Sequence, residues 1–301
     1  MKIGIIDFSS TAVSLLVSDI QEDMTEEVVS LRRPVSILDY LTAKGKLSDR
    51  GIEKVVDSIM FLMDSARKVG AERVKMLSTA SMRLISNYRE VTAAIEASTG
   101  LRIEVLDGKA EAYTDYVANR GYSTLGSALM LDVGGATAEL ADLEDGNMES
   151  MHSLFIGPLA LSRRYDDMYP DKDEAKKLRK HIRKTLEKNG VYDGMEFEHI
   201  VLTGGNADAL YRVYSDYYSL PEQNVKSMEK KKLSKLLKHL ISSSERSMLF
   251  IRNAPENVHV IIPAAILVNT VASYFSSREL IVSEAGVKEG YLRLIVEGMN
   301  G

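Results

Sequence analysis

Cysteine is absent from the 301 residues. That excludes disulfide staples, a thiol nucleophile, and zinc or iron–sulfur sites held by thiolates. Histidine is scarce: five in the chain, scattered, with no His-x-x-x-His pair. Any metal must then be held chiefly by oxygen, and carboxylates with water around a hard cation such as magnesium are the donor set that fits. Long apolar runs are lacking too. The longest, Val260 to Val268, contains Pro263 and is about half of what spans a bilayer. The start, Met1-Lys2-Ile3-Gly4-Ile5-Ile6-Asp7, reads as a strand and not as a secretory leader, so no membrane partner and a cytoplasmic location are expected. Nor is there an excess of positive charge: 38 Lys and Arg stand against 43 Asp and Glu, a net of −5. Phosphate-backbone binding is driven by a basic face, so a specific nucleic-acid partner is not expected.

What is present is an ordinary globular composition, 45% hydrophobic and 27% charged, able to bury a core. The length favours two domains of roughly 150 residues each. Ile3 to Asp7 and Ala12 to Ser18 read as strands around a turn of small hydroxylated residues, Ser9-Ser10-Thr11. Val28 to Leu31 reads as a third strand. Ser48 then caps a helix over Asp49 to Ala66, whose apolar positions Ile52, Val55, Val56, Ile59, Leu62 and Met63 fall at helical spacing. A strand at Arg73 to Ser78, a helix at Tyr88 to Ser98, a strand at Ile103 to Leu106 and a helix from about Lys109 complete an α/β layer, which places ligand-binding loops at the carboxyl ends of strands.

After a Gly/Ser-containing break at Ser123 to Ser127, the opening module is repeated. Ala128-Leu129-Met130-Leu131-Asp132 is an apolar strand ending in Asp, followed by Gly134-Gly135-Ala136-Thr137 and a second strand, Glu139 to Asp142. Two such strand-Asp-turn units are the mark of two related lobes. The expected domains are 1–124 and 125–301, with the last helix, Val287 to Val296, a candidate to pack back on the first lobe. A strand at Glu198 to Leu202 enters Thr203-Gly204-Gly205 and a helix through Tyr217, a turn suited to phosphate contact through backbone N–H groups. Val258 to Ser273 reads as a helix interrupted early by Pro263, and Leu280 to Ser283 as a strand. Lys230, Lys231, Lys232, Lys235 and Lys238 surround Leu233, Leu236, Leu237 and Leu240, an amphipathic helix with a cationic outer face.

Glycine-rich turns let backbone wrap closely around phosphate oxygens, and Asp7 and Asp132 are placed to hold magnesium from opposite lobes. Asp132-Val133-Gly134-Gly135-Ala136-Thr137-Ala138-Glu139-Leu140 resembles the second phosphate motif of the Ppx/GppA family, usually Asp-Ile-Gly-Gly-Gly-Ser-Thr-Glu-Leu. Further segments resemble that family in order: Ser78 to Arg83, Asp107 to Ala112, Phe155 to Leu161, Gly204 to Ala207 and Val282 to Gly290. The resemblance implies the actin-like ATPase fold of the sugar-kinase and Hsp70 superfamily, two ribonuclease-H-like lobes around a cleft. It also implies a metal-dependent phosphohydrolase acting on the terminal phosphoanhydride of inorganic polyphosphate or guanosine pentaphosphate, and a homodimer. By the same resemblance Glu111 activates or orients the attacking water, and Asp7, Asp132 and Glu139 organise Mg2+ or another divalent cation, Glu139 also positioning the water. Ser9, Ser10, Thr11, Arg83, Gly134, Gly135, Ala136, Thr137, Gly204 and Gly205 would contact phosphate.

The first phosphate motif departs from the family pattern Asp-x-Gly-Ser-Asn-Ser-x-Arg or His: Ser9, Thr11, Ala12 and Ser14 stand at its glycine, asparagine, serine and basic positions. Losing that cation removes a charge-assisted phosphate contact, worth roughly 1.5 to 3 kcal/mol. Ala160 likewise replaces an arginine, and Ala110 the first of two paired glutamates. The sequence ends at Gly301 without the helical extension that larger relatives carry, so short-chain polyphosphate or a nucleotide is the expected substrate. The competing readings are a regulatory protein that closes on a nucleotide or polyphosphate without turning it over and, ranked last, a phosphotransferase sharing the fold.

Overall fold

The computed structural model describes residues 1–21, 24–243 and 246–300. Strand β1 (Lys2–Phe8) pairs antiparallel with β2 (Ala12–Gln21), which pairs antiparallel with β3 (Met24–Pro34). Helix α1 (Asp49–Lys68) returns the chain to β4 (Arg73–Ser78), parallel to β1. Helices α2 (Ala80–Leu84) and α3 (Tyr88–Thr99) lead to β5 (Ile103–Val105), parallel to β4, and then α4 (Gly108–Asn119) begins. The sheet order is β3-β2-β1-β4-β5, the ribonuclease-H-like arrangement of a meander followed by parallel crossovers. Ser48 caps α1 by accepting from Gly51 N at 3.3 Å.

The plan recurs after α4. β6 (Ala128–Asp132), β7 (Ala138–Asp142) and β8 (His152–Leu154) form an antiparallel meander. α5 (Pro158–Ser162) and α6 (Lys172–Lys188) precede β9 (His199–Thr203), which runs parallel to β6. α7 (Gly205–Tyr217), β10 (Lys226–Glu229), α8 (Lys230–Ser242), α9 (Arg246–Asn253) and α10 (Ile261–Tyr274) come before β11 (Glu279–Val282), parallel to β9, and α11 (Val287–Asn300) ends the chain. The order β8-β7-β6-β9-β11 repeats that of the first sheet, with β10 added antiparallel at the edge. This duplicated topology is the actin-like fold. Pro263 does not interrupt α10: it occupies the helix's first turn, where its missing N–H has no carbonyl to serve. The helix therefore starts at Ile261, not at Val258.

Two compact units result, Met1–Thr114 with Val287–Gly301, and Asp115–Gly286. The divide between these units falls inside α4, at 114/115. The Gly/Ser-containing break is a 3-10 turn, Arg120–Leu125, within the second unit. In the first unit, Ile6 and Phe8 of β1 join Val55, Ile59 and Leu62 of α1 on one face of the sheet, whereas Ile3 and Ile5 join Leu292 of α11 on the other. Strand side chains alternate, so Asp7 falls on the face of Ile3 and Ile5. In the second unit Leu129 and Leu131 belong to a core built with α6, α7, α8 and α10. Asp132 lies on the opposite face, directly across the β6–β7 register from Glu139. Among the described residues no helix is long and apolar enough to cross a membrane.

Candidate active site

In the first unit, β1 delivers Asp7 into a nearly closed environment, 7% exposed. Its Oδ1 has no hydrogen-bond partner among the described residues. Burial pushes its proton affinity up, to a pKa of about 7; Lys288 opposes this, while Glu111 and Glu289 add to it. The turn that follows is closed without glycine. Ser9 N and Ser9 Oγ both donate to Ala12 O, at 2.9 and 3.1 Å, while Val35 N and Ile37 N donate to the carbonyls of Thr11 and Ser10. None of residues 9–11 has a left-handed φ, so serine occupies the glycine position of the motif without backbone strain.

Glu111 sits in the first turn of α4, whose N-terminus is capped by Asp107 Oδ1 accepting from Lys109 N and Ala110 N, both at 2.9 Å. Only 5% of it is exposed. Burial raises the carboxyl's pKa; the Arg83 charge and hydrogen bond oppose that, as do the Thr79 hydroxyl and the Ala80 amide. Arg83 Nη2 donates to Glu111 Oε2 at 2.9 Å and Arg83 Nη1 to Leu106 O at 2.6 Å. Arg83, expected from the sequence to contact phosphate, has its guanidinium on Glu111, where it orients that carboxylate. This charge-assisted bond is worth more than an exposed pair because one partner is buried.

In the second unit, Asp132 ends β6, and Glu139 on β7 is fully buried, accepting from Ser153 Oγ at 2.7 Å. Glycines sit where the backbone approaches most closely, in the turn between them and in the β9–α7 turn beside Asp132. A Cβ on Gly134 would lie 2.8 Å from Thr137 O, and one on Gly204 would overlap Asp132 Oδ1. Gly204 also has φ +90°, a conformation that side-chain-bearing residues rarely adopt. It precedes α7, where Gly205 opens the helix with no side-chain cap, leaving first-turn N–H groups available to an anion. Ala136 and Thr137 are buried in the same turn.

Three contributors were not assigned by sequence reasoning. Asn206 donates from Nδ2 to Val133 O at 2.9 Å and Gly134 O at 3.0 Å, tying the glycine turn to α7, and accepts from Asn257 Nδ2. Its signal was present, since it lies within the Gly204 to Ala207 segment. Lys288 opposes the charge of Asp7 from α11, again within a matched segment. Arg32 is different: it lies opposite Ser14 in the β2–β3 register and donates to Thr11 Oγ1 at 3.4 Å. It brings a cation to the loop from a neighbouring strand, a placement no motif could disclose.

The Ppx/GppA phosphatase family model matches residues 16–297. Exopolyphosphatase 1 of Mycobacterium leprae is 28% identical over 169 residues, covering 55% of this chain and 50% of that protein. The guanosine-5'-triphosphate,3'-diphosphate pyrophosphatase of Aeromonas hydrophila is 27% identical over 153 residues, covering 50% of this chain and 31% of that one. The chain thus spans half or less of the length of these curated relatives. An exopolyphosphatase structure from Cytophaga hutchinsonii superposes with a TM-score of 0.87 at 20% identity, covering 99% of this chain and 98% of the other, which shows a shared fold. By the extent of the family match, the chain belongs to the Ppx/GppA phosphatase family.

Proposed function

We propose that the chain is a divalent-cation-dependent hydrolase of the terminal phosphoanhydride of short-chain polyphosphate or guanosine pentaphosphate. The observation that carries this reading is Glu111: a buried carboxylate, raised in proton affinity yet held in one orientation by Arg83, Thr79 and Ala80. A general base needs that combination of geometry and tuned affinity. The relatives named for exopolyphosphatase and guanosine-pentaphosphate activity support the substrate class.

The donor set suits a hard cation. Asp7 presents a buried oxygen that lacks a partner among the described residues, and Asp132 and Glu139 add carboxylate oxygens, with no thiolate anywhere in the chain. Each of these carboxylates is a proposed ligand on its own unit, Asp7 on the first and Asp132 and Glu139 on the second. When bound, a divalent cation would neutralise charge on the phosphate oxygens. The glycine turn 134–137 and the start of α7 bind phosphate through backbone N–H groups. Glu111 accepts a proton from water as its oxygen attacks the terminal phosphorus, and the bond to the remaining chain breaks in line. Arg32 and Lys288 supply cations on the first unit in place of the basic residue missing at Ser14.

Phosphate release from tripolyphosphate and from guanosine pentaphosphate, with magnesium, tests the reading. The wild type should release phosphate, and Glu111→Gln should lose about a hundredfold or more in kcat with an unchanged fold. No release from the wild type, with either ligand still raising its melting temperature, would make the protein a binder and not a hydrolase.

A further inference from the structure

Helices α6 and α8 concentrate positive charge in a net-negative chain. α6 carries eight Lys and Arg against three acidic residues, and α8 carries five against none, so the two helices hold 13 of the 38 Lys and Arg. Both pack on the buried helix α10, and they also touch each other. Their leucine and isoleucine faces point into the core: Leu178, Ile182 and Leu186 of α6, and Leu233, Leu236, Leu237 and Leu240 of α8. The opposite faces, at four- and three-residue steps, carry Lys176, Lys180 and Lys184 on α6 and Lys231, Lys235 and Lys238 on α8, all exposed. A solvated helix face in a stable protein usually intersperses acids at i,i+4 to pair with its cations. Here the acids of α6 are confined to its two ends, Asp173, Glu174 and Glu187, and Glu174 is committed to the capping box with Asp171. Those six lysines have no ion-pair partner among the described residues.

We infer that the joined outer faces of α6 and α8 form a docking surface for a linear polyanion, an extended polyphosphate chain. A run of like charges on rigid helices raises the local concentration of a flexible polyanion by counterion release, without needing a shaped pocket. Single-stranded nucleic acid would in addition use aromatic platforms for its bases, and neither helix contains a Phe, Tyr or Trp. The neighbouring Tyr217 ring is engaged with Tyr218 and His239. Phosphate-only chemistry is what this face recognises. The choice of polyphosphate rests on the proposed function; the existence of the surface does not.

The test measures binding of long-chain polyphosphate across a salt series, with EDTA present so that no turnover occurs, and hydrolysis of tripolyphosphate separately. The variant K180Q/K184Q/K235Q/K238Q is compared with K44Q/K46Q/K54Q/K75Q, which removes the same charge from exposed positions of the first unit. The first should weaken long-chain binding about tenfold or more at low salt and reduce the log–log salt slope by roughly three, the control by much less. Tripolyphosphate hydrolysis should be unchanged in both. The double variants K180Q/K184Q and K235Q/K238Q should each give about half the slope change, which keeps the test open if the fourfold variant folds poorly. Equal losses in the two fourfold variants, or no loss in either, would overturn the surface. Single-stranded RNA binding as tightly as polyphosphate of equal charge would overturn its assignment to polyphosphate. If tripolyphosphate is not hydrolysed but the slope change appears, the docking surface stands and the hydrolase reading fails.

Discussion

The two units build the same device, a strand ending in Asp and a turn into a second strand, from different materials. In the second unit the residue two after the Asp is Gly134, where a Cβ would lie 2.8 Å from Thr137 O; Gly204, in the separate β9–α7 turn, packs on Asp132 at a φ of +90°. In the first unit the corresponding turn is Ser9-Ser10-Thr11, with ordinary φ angles and with its polar groups satisfied by Ala12, Val35 and Ile37. Serine therefore stands at the first unit's glycine position without backbone strain, whereas a side chain at Gly134 would meet backbone. The carboxylates differ as well. Glu139 is buried and accepts from Ser153 Oγ with one oxygen, whereas burial pushes Asp7 up to a pKa of about 7.

That second contrast gives the largest expected effect. Asp7 titrates near pH 7 in the folded protein and near 3.8 when unfolded, so between those values the folded state binds a proton that the unfolded state does not. Stability from this group is fully present below about pH 4 and is lost as pH rises through 7. In EDTA, the wild type should lose up to about 4 kcal/mol from this source between pH 4 and pH 8. Asp7→Asn should not, so its melting temperature relative to wild type should climb with pH. A constant offset between the two proteins across that range would sink the assignment. Added magnesium should restore the wild type at pH 8 and leave Asp7→Asn unmoved.

Gly204→Ala comes next. Its Cβ would overlap the Asp132 carboxylate in a conformation that costs about 1 to 3 kcal/mol for a side-chain-bearing residue. Urea unfolding should show a loss of about 3 kcal/mol. A loss under about 1 kcal/mol would mean that the β9–α7 turn relaxes easily around Asp132.

Much of this was legible in the sequence, for reasons that can be named. Both hairpins declared themselves by apolar strands ending in Asp, and α1 by Ser48 and its spacing of Val55, Ile59 and Leu62. Helix α6 was not read, although its capping box Asp171/Glu174 and its Leu178, Ile182, Leu186 stripe were there. Its heavy charge leaves one apolar residue in four, too thin a pattern to stand out. β10 is polar and exists because it pairs with β11, a long-range cause that local sequence does not carry. Arg32 enters the site only through strand register, and the bonds of Arg83 to Glu111 and Leu106 O are likewise beyond what a motif discloses. Glu111 stands in a segment matched to the family motif; its burial and its ion pair with Arg83 required the fold.

Asn206→Ala should have an intermediate effect. It removes two bonds to carbonyls of the glycine turn, costing about 1 to 3 kcal/mol if those carbonyls stay buried, and it should raise KM for polyphosphate more than it lowers kcat. Ser9→Gly is the smallest change and the sharpest test of the comparison. The substitution returns the family's glycine to the first turn, but it forfeits the Ser9 Oγ bond to Ala12 O and frees the unfolded chain. If the turn is already well formed with serine, stability should fall by about 0.5 to 1 kcal/mol and phosphate release should change less than about threefold. A gain of tenfold or more in release, measured on tripolyphosphate at equal folded concentration, would show instead that Ser9 restrains the loop. The difference between the two turns would then be a functional loss in the first and not a tolerated substitution.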